Sequence, residues 1–447
     1  MGKYFGTDGI RGNANENLTV EMAFKVGRFI GNYFSDKRKA KIVIGKDTRL
    51  SSSMFESALA SAISASGGDV YLLGYTSTPC LAYLTMSEDF DCGVMISASH
   101  NPYHDNGIKL FSKTGLKIDE ELESKIEAYL DNTVGIEYKK DAQIGNIYPY
   151  SEGIANYQKW LYSLFDMDLK GMKVLLDLAN GSNCYTAVKV LEHFNAEVTA
   201  INDSPNGINI NTNCGSTHLE MLIEKMKEGD YDIGFAFDGD ADRVLCVDHY
   251  GQVIDGDKIM YTIACHLKDK GQLNDDAMVT TVMSNIGLFK ALKAKGIKSI
   301  ITSVGDKNVV DAMVKNDYVV GGEQSGHIIN KYHSLFGDGL KTALNILEII
   351  SETNKNIDEL TEDLKVYPQL LVNERVKDKT LVLNDEEIKA KIDGISAKLG
   401  DNGRILVRPS GTEPLIRVMV EASDEKACHD LVYEVIDLIK SKGYSVN

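Results

Sequence analysis

The sequence lacks any pair of cysteines spaced as CxxC, although it contains seven cysteines in all. An odd number of cysteines without such pairs is typical neither of a disulfide framework nor of a structural zinc site. We therefore expect free thiols, a reducing compartment and a cytoplasmic location.

Long apolar runs and excess positive charge are also missing. No stretch approaches the ~18 apolar residues that a membrane-spanning helix needs, and the opening MGKYFGTDGIRG has no apolar core of signal-peptide length. Lys and Arg total 48 against 65 Asp and Glu, so the formal net charge is −17. We expect neither nucleic acid nor an anionic membrane as a partner, because polyanions bind basic surfaces. An anionic substrate would have to be held by local basic clusters.

Three segments share one order of elements: an apolar strand, a small-residue turn and an amphipathic helix. They begin at KIVIG (41–45), MKVLLDL (172–178) and AMVTTVMS (277–284). A further strand follows each helix, which favours parallel pairing with helices on the sheet faces. The part after residue 365 lacks that order and is typical of an α+β domain.

The chain length is compatible with about three or four domains, at roughly 100–200 residues each, and this organisation predicts four. The fold class is α/β, with helices packed on mixed, mostly parallel sheets, plus a small C-terminal α+β domain, around a central cleft. The expected domains cover residues 1–150, 151–255, 256–365 and 366–447.

The FDGDADR motif is the strongest chemical signal, and it follows an apparent strand, YDIGFAF. Asp238, Asp240 and Asp242 alternate through a loop, and carboxylates so close repel one another unless a cation neutralises them. An EF-hand is excluded, because its sixth and twelfth loop positions would hold Arg243 and His249 instead of Gly and Glu. The motif predicts a site for one hard divalent cation, Mg²⁺, with part of its shell left for a phosphate. The alternative is a solvated acidic turn.

The RPSGTEPLIR motif lies between two predicted strands. Its small residues allow backbone N–H groups to converge on an anion, and two hydroxyls and two guanidinium groups would complete a phosphate cradle. It is not a Walker motif, since GxxxxGK[ST] does not occur in the chain. An ordinary Ser-Gly hairpin turn is the alternative. The candidate phosphate ligands are Arg408, Ser410, Gly411, Thr412 and Arg417.

Three other polar segments carry weaker signals. In GGEQSGHII, Glu323 and Ser325 would suit vicinal sugar hydroxyls or an amino group, and His327 could be a general acid/base or only a loop donor. In GTDGIRG, the position of Arg11 among glycines would allow the backbone to approach a ligand, but it is also typical of a plain N-terminal loop. In GKDTR, Arg49 could pair with phosphate or with a carboxylate at a domain interface.

Ser99 lies in MISASHNPYHDNG, after an apolar run and directly before His100. A hydrolase triad would need a base oriented onto Ser99, but adjacent residues rarely point at one another and the GxSxG elbow is absent. A phosphorylated Ser99 would instead complete the metal shell left open by the three aspartates. Lys109, slightly downstream, could neutralise charge or move a proton. Plain Asn-Pro turn chemistry is the alternative.

The motifs SASHNP, DGDADR, GEQSGH and RPSGTEP occur in the order typical of the α-D-phosphohexomutases, and the whole chain resembles that family. The opening YFGTDGIRG, the GEQSGH loop and the chain length are most similar to a bacterial branch of it. That branch interconverts glucosamine 6-phosphate and glucosamine 1-phosphate for cell-wall precursor synthesis. The resemblance implies an isomerase that works through a phosphoserine and a bisphosphorylated sugar.

The resemblance also implies a role for each matching residue. Ser99 would be the phosphoserine and, through a phosphate oxygen, would join Asp238, Asp240 and Asp242 around Mg²⁺. The residues implied in proton transfer or active-site charge are Lys109, His327 and Arg11. The residues implied in substrate binding are His100, Arg243, Lys307, Glu323, Ser325, Arg408, Ser410, Gly411, Thr412 and Arg417. The family often has Arg where this chain has Lys307, and a lysine ammonium lacks the planar fork with which arginine makes a bidentate contact.

The implied reaction passes through a bisphosphate that turns end for end. Glucosamine 1,6-bisphosphate or glucose 1,6-bisphosphate would be the intermediate or primer, and a small-molecule sugar phosphate the partner. A homodimer is compatible with the sequence, and Lys109 and His327 are both candidates for the general acid/base. Two alternatives stay open: a phosphomannomutase/phosphoglucomutase, and a non-catalytic sugar-phosphate binding protein.

Overall fold

The computed structural model describes residues 2–131, 135–410 and 414–446. Within these residues the chain forms two compact units. The first contains the chain up to Met283 together with Ile297–Thr361, and the second contains Ser284–Gly296 and the chain from Glu362 onward. None of the helices in the described ranges has the length and apolar character that a bilayer crossing requires.

The first sheet is built from the apolar runs of the N-terminal segment. Its strands are β1 (Phe5–Gly6), β2 (Gly9–Asn13), β3 (Lys41–Lys46), β4 (Asp69–Tyr75), β5 (Cys92–Ile96), β6 (Asp105–Ser112) and β7 (Ile147–Pro149). They lie in the order β1-β2-β6-β5-β3-β4-β7, with β3 parallel to β4 and β5, and β6 antiparallel to β5. The helices of this segment are α1 (Val20–Phe34), α2 (Ser52–Ala65), α3 (Thr78–Ser87) and α4 (Glu120–Leu130). Every residue of β5 is buried, so the loop after it starts from a fixed position in the core.

The second sheet follows helix α5 (Glu152–Leu164). Its strands are β8 (Lys173–Asp177), β9 (Glu197–Ile201), β10 (Ile233–Phe237), β11 (Val244–Asp248) and β12 (Val253–Ile254), and its helices are α6 (Ala187–His193) and α7 (Glu220–Glu228). The order is β12-β11-β10-β8-β9. β8 pairs in parallel with both β9 and β10, whereas β10 and β11, joined by a short turn, are antiparallel.

The third sheet has the order β14-β13-β15-β16, with β13 (Ala277–Thr281), β14 (Lys298–Thr302), β15 (Val320–Gly322) and β16 (Ile328–Asn330). The helices around it in sequence are α8 (Gly256–Asp269), α9 (Ile286–Ala294), α10 (Asp306–Asn316), α11 (Gly339–Thr353) and α12 (Ile357–Leu360). Helix α9 belongs to the second unit. There the backbone N–H of Ile286 donates to Glu421 Oε2 at 2.9 Å.

The last sheet is antiparallel, in the order β17-β19-β18. Its strands are β17 (Gln369–Arg375), β18 (Arg404–Pro409) and β19 (Leu415–Glu421), and its helices are α13 (Lys379–Asn384), α14 (Glu386–Leu399) and α15 (Glu425–Ser441). The buried face of α15 includes Leu431, Val435 and Ile439, which recur at helical spacing. The mixed α/β sheets followed by this α+β part confirm the predicted fold class, while the domain boundaries stay predictions.

Candidate functional site

The FDGDADR motif forms the turn between β10 and β11, where Phe237 pairs with Val244. The side chains of Asp238, Asp240 and Asp242 are all buried. One carboxylate oxygen from each lies within 4.8 Å of the others. The structure therefore brings together the three carboxylates that the sequence predicts as metal ligands.

The charges of this cluster fit a bound cation. Burial, followed by the charges of Asp242 and Asp240, raises the pKa of Asp238 well above its ordinary value. Asp240 Oδ1 and Asp242 Oδ1 are buried and have no hydrogen-bond partner in the part of the chain that the structure describes. Buried carboxylate oxygens without donors suit a hard divalent cation such as Mg²⁺, which prefers oxygen ligands.

Ser99 lies in the loop after β5 and contacts the acidic cluster. Its side chain is fully buried, and its Oγ donates a hydrogen bond of 2.5 Å to Asp238 Oδ2. Its φ of +53° lies in the left-handed region, which residues with a Cβ rarely adopt. Such a conformation costs on the order of 1–3 kcal/mol and persists where the surroundings enforce it, often at functional sites.

Arg49 holds this loop in place from the end of β3. Its Nη2 donates to the carbonyl oxygens of Ser99 and Asn101, both at 2.9 Å. Its Nη1 donates to the carbonyl of Asp105 at 3.2 Å, and its Nε donates to Asp47 Oδ2 at 2.8 Å. The guanidinium group is thus directed to backbone carbonyls and a neighbouring carboxylate, and it shapes the Ser99 loop.

We expect Arg49→Lys to lower the free energy of unfolding by about 3 kcal/mol, because an ammonium cannot span these acceptors and leaves buried groups unpaired. Urea denaturation measures the loss, and intact mass should show less phosphorylation of Ser99. The matched control is Arg38→Lys, since Arg38 makes a bidentate contact with Asp91 at 2.8 Å but its side chain is 53% exposed. The control should lose less than about 1 kcal/mol. Equal losses in the two variants would contradict the role given to Arg49.

Lys109, on β6, is buried among carboxylates. Its Nζ lies 2.7 Å from Asp240 Oδ2, 2.9 Å from Asp8 Oδ2 and 3.6 Å from Asp242 Oδ2. Burial opposes the charged form, but these three carboxylates raise the pKa of Lys109 above its ordinary value. Lys109 is therefore an ammonium group that balances the acidic loop. Asp8 also forms an ion pair with Arg11, which brings that predicted residue to the same cluster.

The pKa values of the two histidines near the site are shifted in opposite directions. Burial alone would lower the pKa of His327, but Asp242, whose Oδ2 lies 3.8 Å from the His327 Nδ1, raises it above its ordinary value. Burial, followed by the charges of Arg243 and Arg11, lowers the pKa of His100 to about 4. His327 is therefore suited to carry a proton near neutral pH, whereas His100 is neutral there.

Arg243 and Arg11 supply unsatisfied donors beside the acidic loop. The Nε atom of each is buried and has no hydrogen-bond partner among the described residues. Arg243 Nε lies 3.8 Å from Asp242 Oδ1. Partly exposed guanidinium groups with N–H directions left over suit an anion such as phosphate. Donors for an anion and ligands for a cation thus adjoin each other.

The GGEQSGH segment forms the turn between β15 and β16. Glu323 Oε1 accepts a hydrogen bond of 2.9 Å from the backbone N–H of Gly305, and Ser325 is exposed. Lys307 Nζ donates to Glu120 Oε1 at 3.0 Å, with 44% of the Lys307 side chain exposed. Lys307 therefore contacts a carboxylate of α4, and its binding to substrate stays a prediction.

A pocket of about 220 Å³ adjoins these loops. Asp242 and His327 line it on the side of the acidic turn, and its apolar lining includes Phe111, Leu116 and Phe336. The carboxylate cluster therefore borders a space that can hold part of a small molecule.

In the second unit, Arg408 on β18 is the direct antiparallel partner of Arg417 on β19. Like charges opposite each other destabilise a sheet, and burial together with Arg417 lowers the pKa of Arg408. Arg408 Nε is buried without a hydrogen-bond partner in the described ranges. Ser410 is buried next to this pair, whereas Gly411 and Thr412 lie outside the described residues. Two adjacent guanidinium groups suit a phosphate.

Reasoning from the sequence missed Asp8, Thr78 and Asn211. Thr78 Oγ1 donates to Asp240 Oδ2, and Asn211 Nδ2 donates to the carbonyl of Ser99 at 2.8 Å. Asp8 could have been recognised from the sequence as an acidic residue three positions before Arg11 in a glycine-rich loop. Nothing in the neighbouring sequence of Thr78 or Asn211 indicates these partners.

Models of the phosphoglucomutase/phosphomannomutase family match the chain in consecutive segments. The alpha/beta/alpha domains I, II and III match residues 2–134, 149–251 and 255–367, and the C-terminal domain matches residues 371–438.

Proteins with similar sequences include two phosphoglucosamine mutases. That of Lachnospira eligens is 51% identical over 450 residues, with 100% of each chain covered. That of Bacillus subtilis is 47% identical over 444 residues, with 99% of each chain covered.

Solved structures with the same fold are more distant in sequence. A phosphoglucomutase/phosphomannomutase family protein from Burkholderia thailandensis superimposes with a TM-score of 0.81 at 22% identity, covering 99% of this chain and 98% of the other. The N-acetylphosphoglucosamine mutase of Aspergillus fumigatus, in complex with GlcNAc-6P and magnesium, gives a TM-score of 0.71 at 18% identity, covering 98% and 96%.

Proposed function

The chain belongs to the phosphoglucomutase/phosphomannomutase family, and on this basis we propose that it is a phosphoglucosamine mutase. It interconverts glucosamine 6-phosphate and glucosamine 1-phosphate. The observation that carries the choice of sugar is the full-length similarity to phosphoglucosamine mutases. The contact between Ser99 Oγ and Asp238 supports the chemistry.

The reaction starts from a phosphate on Ser99. A sugar hydroxyl oxygen attacks the phosphorus, the bond between phosphorus and Ser99 Oγ breaks, and a bisphosphorylated sugar results. After the sugar turns end for end, its other phosphate is transferred to Ser99 Oγ, which regenerates the phosphoserine and releases the isomer. Such transfers depend mainly on positioning and on stabilisation of negative charge.

The cationic groups of the site provide that stabilisation. Lys109, paired with three carboxylates, and the guanidinium groups of Arg11 and Arg243 lie beside the acidic cluster and would face the transferred phosphate. When bound, Mg²⁺ would spread the negative charge of the phosphate, and Asp238, Asp240, Asp242 and a phosphate oxygen on Ser99 would hold it.

In the first transfer the attacking sugar hydroxyl loses a proton and the departing Ser99 Oγ gains one; in the second transfer Ser99 Oγ loses its proton and the departing sugar oxygen gains one. His327 is the better candidate to move the proton, because it lines the pocket beside Asp242 and an imidazole gains and loses a proton near neutral pH. Lys109 is held in its charged form and serves as a counter-charge.

Binding of the substrate is assigned to the remaining predicted residues. Glu323 and Ser325, with Lys307, would contact the sugar. The phosphate that does not react would bind the segment of Arg408, Ser410, Gly411, Thr412 and Arg417. Glucosamine 1,6-bisphosphate is the expected intermediate, and a cytoplasmic location and a homodimeric assembly are part of the proposal.

The test compares kcat/KM for glucosamine 1-phosphate, glucose 1-phosphate and mannose 1-phosphate, with Mg²⁺ and a sugar bisphosphate primer, by ³¹P NMR. We expect glucosamine 1-phosphate to be preferred by tenfold or more, about 1.4 kcal/mol in transition-state binding. Preference for mannose or glucose would favour a phosphomannomutase/phosphoglucomutase. Binding without turnover of any of the three would indicate a non-catalytic protein.

A further inference from the structure

We propose that Lys117 is a positioning residue that fixes the VGDKNV loop (304–309) relative to the phosphoserine site and so contributes to the choice of sugar. The inference rests on the proposed function. It concerns a residue outside the motifs that carry the chemistry, in the segment between β6 and α4.

Lys117 bridges two carboxylates from distant parts of the chain. Its Nζ lies 2.6 Å from Asp8 Oδ1 and 2.7 Å from Asp306 Oδ2. All three side chains are 21% exposed, so the two ion pairs are partly shielded from water. Asp306 is the first residue of α10, so the VGDKNV loop (304–309) includes the first turn of that helix.

Each end of this bridge continues into the site. On one side, Asp8 Oδ2 contacts Lys109, which contacts the acidic loop. On the other side, Gly305 precedes Asp306 and donates its N–H to Glu323 Oε1 at 2.9 Å. One series of contacts therefore joins the acidic loop to the carboxylate expected to meet the sugar. Its members in order are Asp240, Lys109, Asp8, Lys117, Asp306, Gly305 and Glu323.

The VGDKNV loop depends on such polar contacts for its position. Val304, Lys307 and Asn308 are exposed, so little apolar burial holds the loop before Val309, which is buried. Within the described residues, the other ion pair of the loop joins Lys307 to Glu120, whose side chain is 83% exposed. Exposed pairs of that kind contribute little, whereas partly buried pairs are screened less. The ion pairs of Lys117 therefore hold the loop more strongly than the ion pair between Lys307 and Glu120.

Removing the cation also replaces an electrostatic attraction with a repulsion. Without Lys117, the carboxylates of Asp8 and Asp306 would approach each other with no positive charge between them, and they would repel. The VGDKNV loop would move away from Asp8, and the hydrogen bond that orients Glu323 would move with it. A shift of that kind alters sugar contacts and leaves Ser99 in place.

The experiment combines kinetics and hydrogen exchange on Lys117→Met in the full chain. We expect the preference for glucosamine 1-phosphate over glucose 1-phosphate in kcat/KM to fall by about tenfold, mainly through KM, with kcat changing less than about threefold. Amide exchange in residues 304–309 should become faster. Lys117→Arg keeps the cation and should restore both properties.

The matched control is Lys125→Met, which removes an exposed lysine that pairs with Glu121 on α4 at 2.6 Å. It should change neither the sugar preference nor the exchange of the loop. Asp306→Asn removes the same contact from the other side without creating the repulsion, so it should change both properties in the same direction but by less, and the double variant should match Asp306→Asn. Asp306→Asn also replaces Lys117→Met if that variant does not fold.

Unchanged sugar preference in Lys117→Met and Asp306→Asn, or unchanged exchange of the loop, would overturn the positioning role. An equal effect in Lys125→Met would do the same. If the wild-type chain turned over none of the sugar phosphates, the proposed function would fail instead. The exchange measurement would then still decide whether Lys117 positions the loop.

Discussion

Ser99→Ala is expected to abolish mutase turnover, with kcat reduced by about 10⁴-fold or more, because no other side chain can replace the covalent phosphate carrier. In intact mass spectra, the wild-type protein should contain a species heavier by one phosphate, and Ser99→Ala should lack it. The buried Oγ and its contact with Asp238 make Ser99 the serine placed for this role.

The control for this result is Ser57→Ala. Ser57 lies on α2, is exposed, and donates only to the carbonyl of Ser53 in its own helix. That variant should keep both the turnover and the added mass. A phosphate mass that persists in Ser99→Ala would show that another residue carries the phosphate.

Ser99→Gly extends the test to the backbone. Both Ser99→Ala and Ser99→Gly lose the nucleophile, but only glycine removes the Cβ from a residue held at φ +53°. Ser99→Gly should therefore be more stable than Ser99→Ala by up to about 1 kcal/mol in urea denaturation. The opposite order would mean that the Ser99 loop relaxes when the hydroxyl is removed.

Asp238→Asn is expected to separate stability from metal binding. Without metal, the charged carboxylate is costly, because burial and its acidic neighbours raise the pKa of Asp238. The unfolded chain then loses its proton at a lower pH than the folded protein. The wild-type protein is therefore destabilised as the pH rises from the ordinary pKa through the raised one, and Asp238→Asn lacks this loss. The metal-free variant should match or exceed the wild type in Tm near neutral pH.

With Mg²⁺ the order reverses. A cation at 100 times its Kd stabilises the folded wild type by about 2.7 kcal/mol. Asp238→Asn should lose most of that stabilisation and about 10²–10³-fold in kcat, since one ligand charge is gone. Thermal unfolding with and without Mg²⁺ between pH 5 and 8, together with titration calorimetry, measures both effects.

Asp230→Asn is the control for the metal experiment, because Asp230 precedes the same strand and its side chain is 95% exposed. It should leave the response to Mg²⁺ unchanged. If Mg²⁺ stabilised Asp238→Asn as strongly as the wild type, the FDGDADR turn would not be the metal site.

Local pattern was enough to predict most elements that carry the site. The apolar runs before Ser99 and before Asp238 form β5 and β10, and both loops begin where the buried strand ends. The helical spacing near the C-terminus forms α15, whose apolar stripe is buried. These outcomes depend on residues a few positions apart, which is the range over which periodicity acts.

The local sequence pattern did not predict which of the two compact units contains α9. Its sequence lies between two strands of the third sheet, yet it belongs to the second unit, where Gly287 lies against the carbonyl of Lys365. A strand, a helix and a strand in succession indicate a crossover unit. They carry no information about which distant backbone the helix approaches.

The sequence by itself determined the chemistry available: a serine after a buried strand, alternating carboxylates in a turn, and an arginine at each end of the RPSGTEPLIR motif. Donor type and local spacing are properties of neighbouring residues, so they can be recognised before folding. The tertiary structure alone decided which groups meet. Ser99 and Asp238 are 139 positions apart and Lys109 and Asp240 are 131 apart, yet each pair is in direct contact. Contacts over such separations result from the packing of sheets and loops, and the charge state of each group follows from those contacts.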